Sequence, residues 1–187
     1  MKMAITAAVS KGLELKVESL KIALGVLVLF ACSQIAIPME PVPITMQTVA
    51  VMLIGLLYSR QSALLSVVLY TALGSMGLPM FQGFEGGLIH LYGPSAGYIV
   101  GFTASVYVMT LMRERFVLDS FWGILFNCIL GTIVVFIFGV GWLSSIIGLK
   151  DAIAFGLLPF ILPGAVKAIL LSGALRFIRG GKFSIGA

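Results

Sequence analysis

Six long stretches of the chain contain no Asp, Glu, Lys or Arg, and short breaks rich in charge, glycine or proline separate them. The stretches are 22–39, 41–59, 61–84, 86–112, 120–149 and 152–166, and the last continues past Lys167 to residue 175. A helix that crosses about 30 Å of hydrocarbon needs about 20 mostly apolar residues. The pattern therefore predicts six membrane-spanning helices, near 22–37, 46–58, 61–76, 94–112, 120–140 and 155–178.

Composition supports this interpretation. Of the 187 residues, 60% are hydrophobic and only 10% are charged, against about 25% charged in a soluble domain. A soluble, disordered or disulfide-scaffold protein is excluded by these values. We predict an all-α integral membrane protein with one membrane domain, 22–178. It follows a cytoplasmic amphipathic leader, 1–21, and precedes a short basic cytoplasmic tail, 179–187.

The basic residues predict the topology. With six spans both termini share a side, and ten Lys or Arg fall on it: Lys2, Lys11, Lys16, Lys21, Arg60, Arg113, Arg115, Arg176, Arg179 and Lys182. Only Lys150 falls on the other side. Because cytoplasmic segments carry the excess of Lys and Arg, we expect a multi-pass protein of the cell membrane with cytoplasmic termini. The proline segment 38–43 and the glycine-rich segment 74–87 then belong to the outer loops.

Familiar catalytic and metal-binding patterns are absent from the sequence. It contains no G-x-x-x-x-G-K-[ST], G-x-S-x-G or H-E-x-x-H motif, so no site for ATP hydrolysis or acyl transfer is indicated. There is one histidine, and two cysteines lie 96 residues apart. The positive charges form no stripe that would indicate nucleic acid. We therefore predict binding or transport without a metal or cofactor, in contact with membrane lipids.

Lys167 is the most informative candidate for a binding site. It lies near the middle of the sixth predicted span, where a charge costs about 2.5–3.5 kcal/mol on insertion scales. Such a residue is typical of a site for an anionic or polar ligand, although a lysine that pairs internally is the alternative. Its counter-charge would come from Glu85, if the outer loop folds over the site, or from a ligand carboxylate.

Other candidates are polar or aromatic residues at the ends and centres of the spans. Each has a structural alternative: a helix cap, a core ring, an interhelical hydrogen bond or an interfacial aromatic belt. Glycines in the loop would allow close approach of a ligand, and aromatic rings would give it flat walls. With Lys167, the predicted substrate-binding set is Thr45, Gln47, Tyr70, Phe81, Gly83, Glu85, Gly93, Tyr98 and Asn127.

Four segments resemble motifs of a known family. Residues 43–48 (PITMQT) resemble its P-x-T-x-Q entry to the second helix, and Tyr70 through Phe81 resembles Y…G-x-x-G-x-P-x-F. Residues 93–102 (GPSAGYIVGF) resemble G-P-x-x-G-Y-x-x-G-F, and 159–167 resembles the motif of the last helix. Together, over about residues 22–178, the chain is similar to the BioY family of biotin-uptake S components.

The resemblance implies a six-helix membrane protein that binds biotin at its outer face. It also implies partners, namely a transmembrane coupling protein and cytoplasmic ATPases of the energy-coupling-factor type. Two positions depart from the family pattern. Gly164 replaces the Asp usually found three residues before the last-helix lysine, and the first helix has Leu27 four residues after Ala23, where the docking motif A-x-x-x-A would require Ala.

Three alternative functions remain at this point. An S component for another vitamin would share the fold and differ in ligand. A membrane enzyme acting on a lipid or vitamin precursor would need a nucleophile or an acid–base set at one depth, which the sequence does not contain. A structural subunit without a ligand would leave the glycine- and aromatic-rich outer loops unexplained.

Overall fold

Most of the chain is helical in the computed structural model, which describes residues 2–116 and 119–180. The α-helices are α1 (Lys2–Gln34), α2 (Gln47–Leu57), α3 (Arg60–Ser75), α4 (Ala96–Arg115), α5 (Phe121–Ile147), α6 (Leu149–Gly156) and α7 (Leu158–Gly180). Strands β1 (Ala36–Ile37) and β2 (Ile44–Thr45) pair antiparallel between α1 and α2. Single 3₁₀ turns at Gln82–Phe84 and Leu88–Leu91 precede α4. The predicted all-α class is confirmed.

The first and last predicted spans have different boundaries in the structure. The predicted leader and the first span belong to one helix, α1. The Lys and Glu residues before position 22 lower the hydropathy of the leader, but they favour helix as the leucines do. The predicted last span, 155–178, corresponds to α7, which begins at Leu158, and the short α6, which ends at Gly156, was not predicted. Of the predicted tail, residues 181–187 lie outside the described residues.

Serine hydroxyls mark two of the helix starts. Ser59 precedes α3 and its Oγ accepts a hydrogen bond from the Ser62 backbone N–H at 3.3 Å. Ser120 precedes α5 and accepts from the Gly123 N–H at 3.0 Å. Each hydroxyl satisfies one of the backbone donors that a helix start leaves without a partner. These caps place the charged breaks at 59–60 and 113–120 at one end of the bundle.

Buried apolar residues form two clusters along α4, α5 and α7. The first, here named the cavity half, contains Tyr98 and Phe102 of α4, Val135 and Leu143 of α5, and much of α1 and α3. The second, here named the closed half, contains Met52, Leu56, Met109, Ile124, Leu125, Cys128, Ala168, Leu171 and Leu175. The two clusters lie at opposite ends of α4, so one bundle contains two differently built cores.

Ion pairs surround the far end of the closed half. Arg60 lies 3.1 Å from Glu114, and Arg179 lies 3.0 Å from Asp119. Near the same end, Glu18 of α1 accepts hydrogen bonds from Lys21 and from the Ser62 hydroxyl. The Lys21 and Ser62 contacts lower the pKa of Glu18 below its ordinary value of 4.5. These contacts connect α1, α3, α4 and α7 at their charged ends.

Two helical stretches, Phe121–Ile147 and Leu149–Arg179, are long and apolar enough to cross a membrane by length and composition. The second combines α6 and α7. Helix α2 is equally apolar in character but has only 11 residues. At 1.5 Å per residue, α2 is shorter than the roughly 30 Å of a hydrocarbon core.

Candidate functional site

A cavity of about 250 Å³ opens between the start of α2, the loop before α4, and helices α4, α5 and α7. This volume is near the lower end of the roughly 300–1,000 Å³ typical of small-molecule sites. Apolar and aromatic side chains form most of its wall. The lining residues are Val42, Pro43, Ile44, Thr45, Gln47, Thr48, Phe81, Gln82, Glu85, His90, Ser95, Tyr98, Ile99, Phe102, Thr132, Val135, Phe136, Phe160, Pro163, Gly164 and Lys167.

Lys167 lies at the cavity wall where α7 faces the start of α2. Its ammonium donates to the Thr45 carbonyl oxygen at 2.6 Å and to the Thr48 hydroxyl at 3.3 Å. Among the described residues no carboxylate lies within 4 Å of the Lys167 Nζ. Two neutral acceptors hold the side chain, and its charge has no counter-charge at contact distance within residues 2–116 and 119–180.

The possibility that Glu85 pairs with Lys167 is wrong in this structure. The Glu85 carboxylate lies 3.4 Å from His90 Nε2, and both residues line the cavity on its loop side. The loop does fold over the cavity as expected, but its acidic residue faces the neighbouring imidazole. Of the two counter-charges considered for Lys167, only a ligand carboxylate is left.

Gln47 is an amide of the cavity wall, and a hydrogen bond at each end of its side chain fixes its orientation. Its Nε2 donates to the Tyr70 hydroxyl at 2.7 Å, and the Tyr70 hydroxyl donates to the Met80 carbonyl at 2.9 Å. The Thr45 hydroxyl donates to Gln47 Oε1 at 3.2 Å. An amide held at both ends keeps a defined donor and acceptor direction, which a specific polar site needs.

Aromatic rings form the wall between the lysine and the loop. Tyr98 and Phe160 are stacked with ring centroids 6.2 Å apart, and Phe136 meets Phe160 edge-on at 6.2 Å. On the loop side, Phe81 lies 5.2 Å from the His90 ring. Such rings provide flat apolar surface for a ligand that carries ring carbon or sulfur.

The loop over the cavity is held by the end of α1. The Gln34 side chain donates from Nε2 to the Phe81 carbonyl at 3.0 Å and accepts at Oε1 from the Phe84 N–H at 3.0 Å. The Ser33 hydroxyl donates to the Met80 carbonyl at 2.9 Å. We name these contacts the Gln34 clamp. The clamp positions the backbone that carries Phe81, Gln82 and Glu85 into the cavity wall.

Six of the predicted site residues meet in this cavity: Thr45, Gln47, Phe81, Glu85, Tyr98 and Lys167. Four others lie away from its wall. Tyr70 is fully buried behind Gln47, and Gly83 lies in the 3₁₀ turn of the loop. The Gly93 carbonyl accepts from Trp142 Nε1 at 3.0 Å, and buried Asn127 donates to the Met109 carbonyl at 3.1 Å. Ligand contact by these four residues stays a prediction that this geometry does not support.

Several wall residues were not identified from the sequence. Phe136, Phe160 and Phe102 supply rings, and Thr48 and Thr132 supply hydroxyls. In an apolar span, rings that face a cavity and rings that face lipid look the same, so hydropathy gives no signal for them. A signal for Thr48 was available, because it is a polar residue directly after Gln47 at the start of an apolar span.

The described residues contain no group of three His, Cys, Asp or Glu side chains that would hold a metal ion. Cys32 and Cys128 are free thiols, and neither lines the cavity. The polar side chains that line the cavity are an ammonium, two amides, hydroxyls, an imidazole and a carboxylate. Such a set of groups is suited to a polar or anionic organic ligand, by charge and hydrogen bonds.

Comparison with known proteins places this fold and site in context. The BioY family matches residues 5–181 of the chain. A probable biotin transporter BioY of Rickettsia prowazekii is 35% identical over 165 residues, covering 88% of this chain and 84% of the relative. Another from Pyrococcus horikoshii is 36% identical over 148 residues, covering 79% and 86%.

A solved structure is also similar. It is the S-component for biotin from an ECF-type ABC transporter, with a TM-score of 0.73 and 29% identity. The match covers 91% of this chain and 93% of that chain. The similarity therefore extends over the whole bundle, including the helices that surround the cavity.

Proposed function

The chain belongs to the BioY family, and we propose that it binds biotin in the cavity as the substrate-binding subunit of an energy-coupling-factor importer. The observation that carries this proposal is the Lys167 ammonium, which faces the cavity without a carboxylate partner among the described residues. A deep charge left in this way needs a ligand group to complement it. The relatives named as biotin transporters supply the identity of that ligand.

The chemistry of biotin matches the distribution of groups in the wall. Biotin has an apolar thioether ring and chain, a polar ureido group and an anionic carboxylate. Tyr98, Phe136 and Phe160 suit the apolar part, and Gln47 suits the ureido group. Lys167 meets either the carboxylate or the ureido oxygen. Contact with the carboxylate needs the negative charge of the ligand, whereas contact with the ureido oxygen needs only a hydrogen-bond acceptor.

A ligand panel tests the proposal. We expect purified protein in detergent to bind biotin much more tightly than thiamine or riboflavin, measured by calorimetric titration. Biotin amide, which lacks the carboxylate charge, separates the two positions of Lys167: weak binding favours the carboxylate, and unchanged binding favours the ureido oxygen. Tight binding of a different vitamin, without biotin binding, would identify an S component for that vitamin and contradict the proposal.

We also propose that α1–α5 and α7 cross the cell membrane, with both termini in the cytoplasm. Large apolar side chains on the bundle exterior support this, for example Leu162 at 74% and Leu170 at 67% exposure on α7. The ion pairs and most basic residues lie at the end of the bundle away from the cavity, which is typical of a cytoplasmic face. The cavity then opens to the outside.

Single-cysteine labelling tests this topology in a background without Cys32 and Cys128. A cysteine at Glu85, 64% exposed in its side chain, should react with a membrane-impermeant maleimide added to intact cells. A cysteine at Arg60 should react only after the cells are opened. Labelling of position 60 from outside would contradict the proposed orientation.

Transport requires energy that this chain has no motif to supply, because its sequence contains no nucleotide-binding motif. We propose that a transmembrane coupling protein and cytoplasmic ATPases act as its partners. Purified chain in liposomes should equilibrate biotin at most, without accumulating it above the outside concentration. Accumulation without partners and without an ion gradient would contradict this part of the proposal.

A further inference from the structure

Two glycines on different helices enclose Tyr98, a ring of the cavity wall. A Cβ atom added to Gly139 of α5 would lie 2.3 Å from Tyr98 Cδ1 and 2.4 Å from Cε1. A Cβ atom added to Gly156 of α6 would lie 2.5 Å from the Tyr98 hydroxyl oxygen and 2.6 Å from Leu143 Cδ2. Such distances do not occur in folded proteins, so both positions need glycine for the ring to lie where it does.

The polar end of the ring is fixed as well. The Tyr98 hydroxyl donates to the Gly156 carbonyl at 2.7 Å, at the C-terminal end of α6. The ring itself stacks with Phe160 of α7, and both rings line the cavity. The backbone of α5 at Gly139 therefore lies against the Tyr98 ring, and the backbone of α6 at Gly156 lies against its hydroxyl group. The cavity is the unfilled space into which a displaced ring would move.

We propose that Gly139 and Gly156 are positioning residues that set the width of the binding cavity through Tyr98. This inference rests on the proposed binding of biotin in the cavity. A methyl group at either glycine displaces the Tyr98 ring toward the cavity, and the cavity becomes narrower. Neither glycine lines the cavity itself, so each acts only through the position of the Tyr98 ring.

A purely structural role would give a different result, and the closed half offers a matched control. A Cβ atom added to Gly131 of α5 would lie 2.4 Å from Met109 Sδ, as close as the conflicts around Tyr98. Neither Gly131 nor Met109 lines the cavity. Gly131→Ala therefore overpacks the same helix against Met109 and Ser105, neither of which lines the cavity.

The experiment compares biotin affinity and thermal stability in detergent for Gly139→Ala, Gly156→Ala and Gly131→Ala. Because overpacking displaces side chains, we expect the first two variants to bind biotin about 10-fold more weakly or worse. Gly131→Ala should lose stability but keep its biotin Kd within about twofold. The Kd of each variant is calculated for its folded fraction, and size-exclusion chromatography measures that fraction.

A double variant tests whether Gly156 acts through the hydroxyl. Adding Tyr98→Phe to Gly156→Ala removes the oxygen that the new methyl group meets, so the double variant should bind biotin more tightly than Gly156→Ala alone. In the otherwise wild-type protein, Tyr98→Phe should weaken biotin binding or leave it unchanged. The same substitution should therefore have different effects on affinity in the two backgrounds, which shows that Tyr98 and Gly156 are directly coupled. The pair also provides a result if Gly139→Ala does not fold.

The outcomes separate this inference from the proposed function. Normal biotin binding by the wild type, with folded Gly139→Ala and Gly156→Ala binding equally well, would overturn the positioning role alone. Strictly additive effects of Gly156→Ala and Tyr98→Phe would overturn it for Gly156. Absence of biotin binding by the wild type would instead contradict the proposed function, and this inference with it.

Discussion

In both halves of the bundle, a large side chain of α4 packs against a glycine of α5, but only one half is filled by this contact. In the closed half, Met109 packs against Gly131 of α5, where an added Cβ would lie 2.4 Å from its sulfur. In the cavity half, Tyr98 packs against Gly139 of the same helix at a similar distance. Methionine is flexible and fills irregular space, whereas a tyrosine ring is flat and leaves a wall. The first half is filled, and the second encloses a cavity.

The residues of helix α7 explain where the packed core of the closed half ends and the cavity begins. In the closed half it contributes Ala168, Leu171 and Leu175 to the buried cluster. One turn earlier it presents Gly164, where an added Cβ would meet nothing closer than Thr132 Cγ2 at 3.8 Å. The position at which the family usually has Asp is thus open space beside Lys167. The cavity exists partly because this helix changes from leucine to glycine along its inner face.

The halves also differ in how they are closed. One salt bridge joins α3 to α4 at the charged end of the closed half, and another joins α7 to the segment before α5. In the cavity half, side-chain hydrogen bonds hold the loop backbone. Loop contacts of the second kind open locally at lower free energy than a packed core. A rigid base with a separately held loop is suited to a protein that must admit and release a ligand.

The largest expected effect is on the closed half. Met109→Ala removes a fully buried side chain and should lower the free energy of unfolding by about 2–5 kcal/mol. The Kd for biotin should stay within about twofold, because Met109 does not line the cavity. Thermal unfolding in detergent and calorimetric titration measure the two quantities.

Leu170→Ala is the matched control for this variant. Its side chain is 67% exposed on α7, so the same kind of truncation should cost well under 1 kcal/mol. If Met109→Ala changed biotin affinity as strongly as a wall variant does, the two halves would not be independent. The comparison between them would then fail.

A loss of comparable size, confined to binding, is expected from the cavity half. Lys167→Met removes the one ammonium of the wall and should weaken biotin binding about 30-fold or more, since breaking a buried charged contact costs about 2–5 kcal/mol. Stability should fall little, because the lysine makes only two neutral hydrogen bonds. Calorimetric titration of the folded variant gives the affinity.

Two further variants sharpen this result. Lys150→Met, on the exposed start of α6, removes a lysine of the same charge and should leave affinity unchanged. Glu85→Gln should change affinity less than about threefold, because Glu85 faces His90 and is exposed. Near-wild-type affinity in folded Lys167→Met would mean that the deep charge is structural and that the proposed site is wrong.

The sequence predicted the helices of the bundle better than their ends. Spans 46–58 and 61–76 agree closely with α2 and α3, because charge and proline mark both of their boundaries. The extension of α1 back to Lys2 was missed, since hydropathy reports membrane depth and not helix continuity. The separate α6 was missed because Lys150 and Asp151 interrupt the apolar pattern, so residues 141–154 were left between the fifth and sixth predicted spans.

Polarity was the main signal in the spans by which the site could be predicted from the sequence. Lys167, Gln47 and Thr45 stand out in apolar spans, and the structure brings all three to the cavity. Asn127 stands out equally but is used between α4 and α5. Phe160 and Gly139 give no such signal, because an apolar residue in a span has no mark that distinguishes core, lipid and cavity. Their roles depend on which face of each helix meets its neighbour.

The last and smallest effect concerns the Gln34 clamp. Gln34→Ala removes the two hydrogen bonds that join α1 to the Phe81 carbonyl and the Phe84 N–H. Partly buried neutral hydrogen bonds contribute about 0.5–1.5 kcal/mol each, so biotin affinity should fall about 10-fold. The loss should come mainly from faster dissociation, because the loop then opens more often. Stopped-flow exchange of bound biotin against a labelled analogue measures this rate.

Graded variants distinguish the clamp from general loss of packing. Gln34→Glu keeps the acceptor for the Phe84 N–H but places an oxygen against the Phe81 carbonyl, so it should not restore slow dissociation. Gln61→Ala removes an exposed glutamine at the start of α3 and should leave the rate unchanged. If Gln34→Ala lowered thermal stability yet left the dissociation rate as in the wild type, the loop would not be held by this residue. The difference in closure between the two halves would then need another cause.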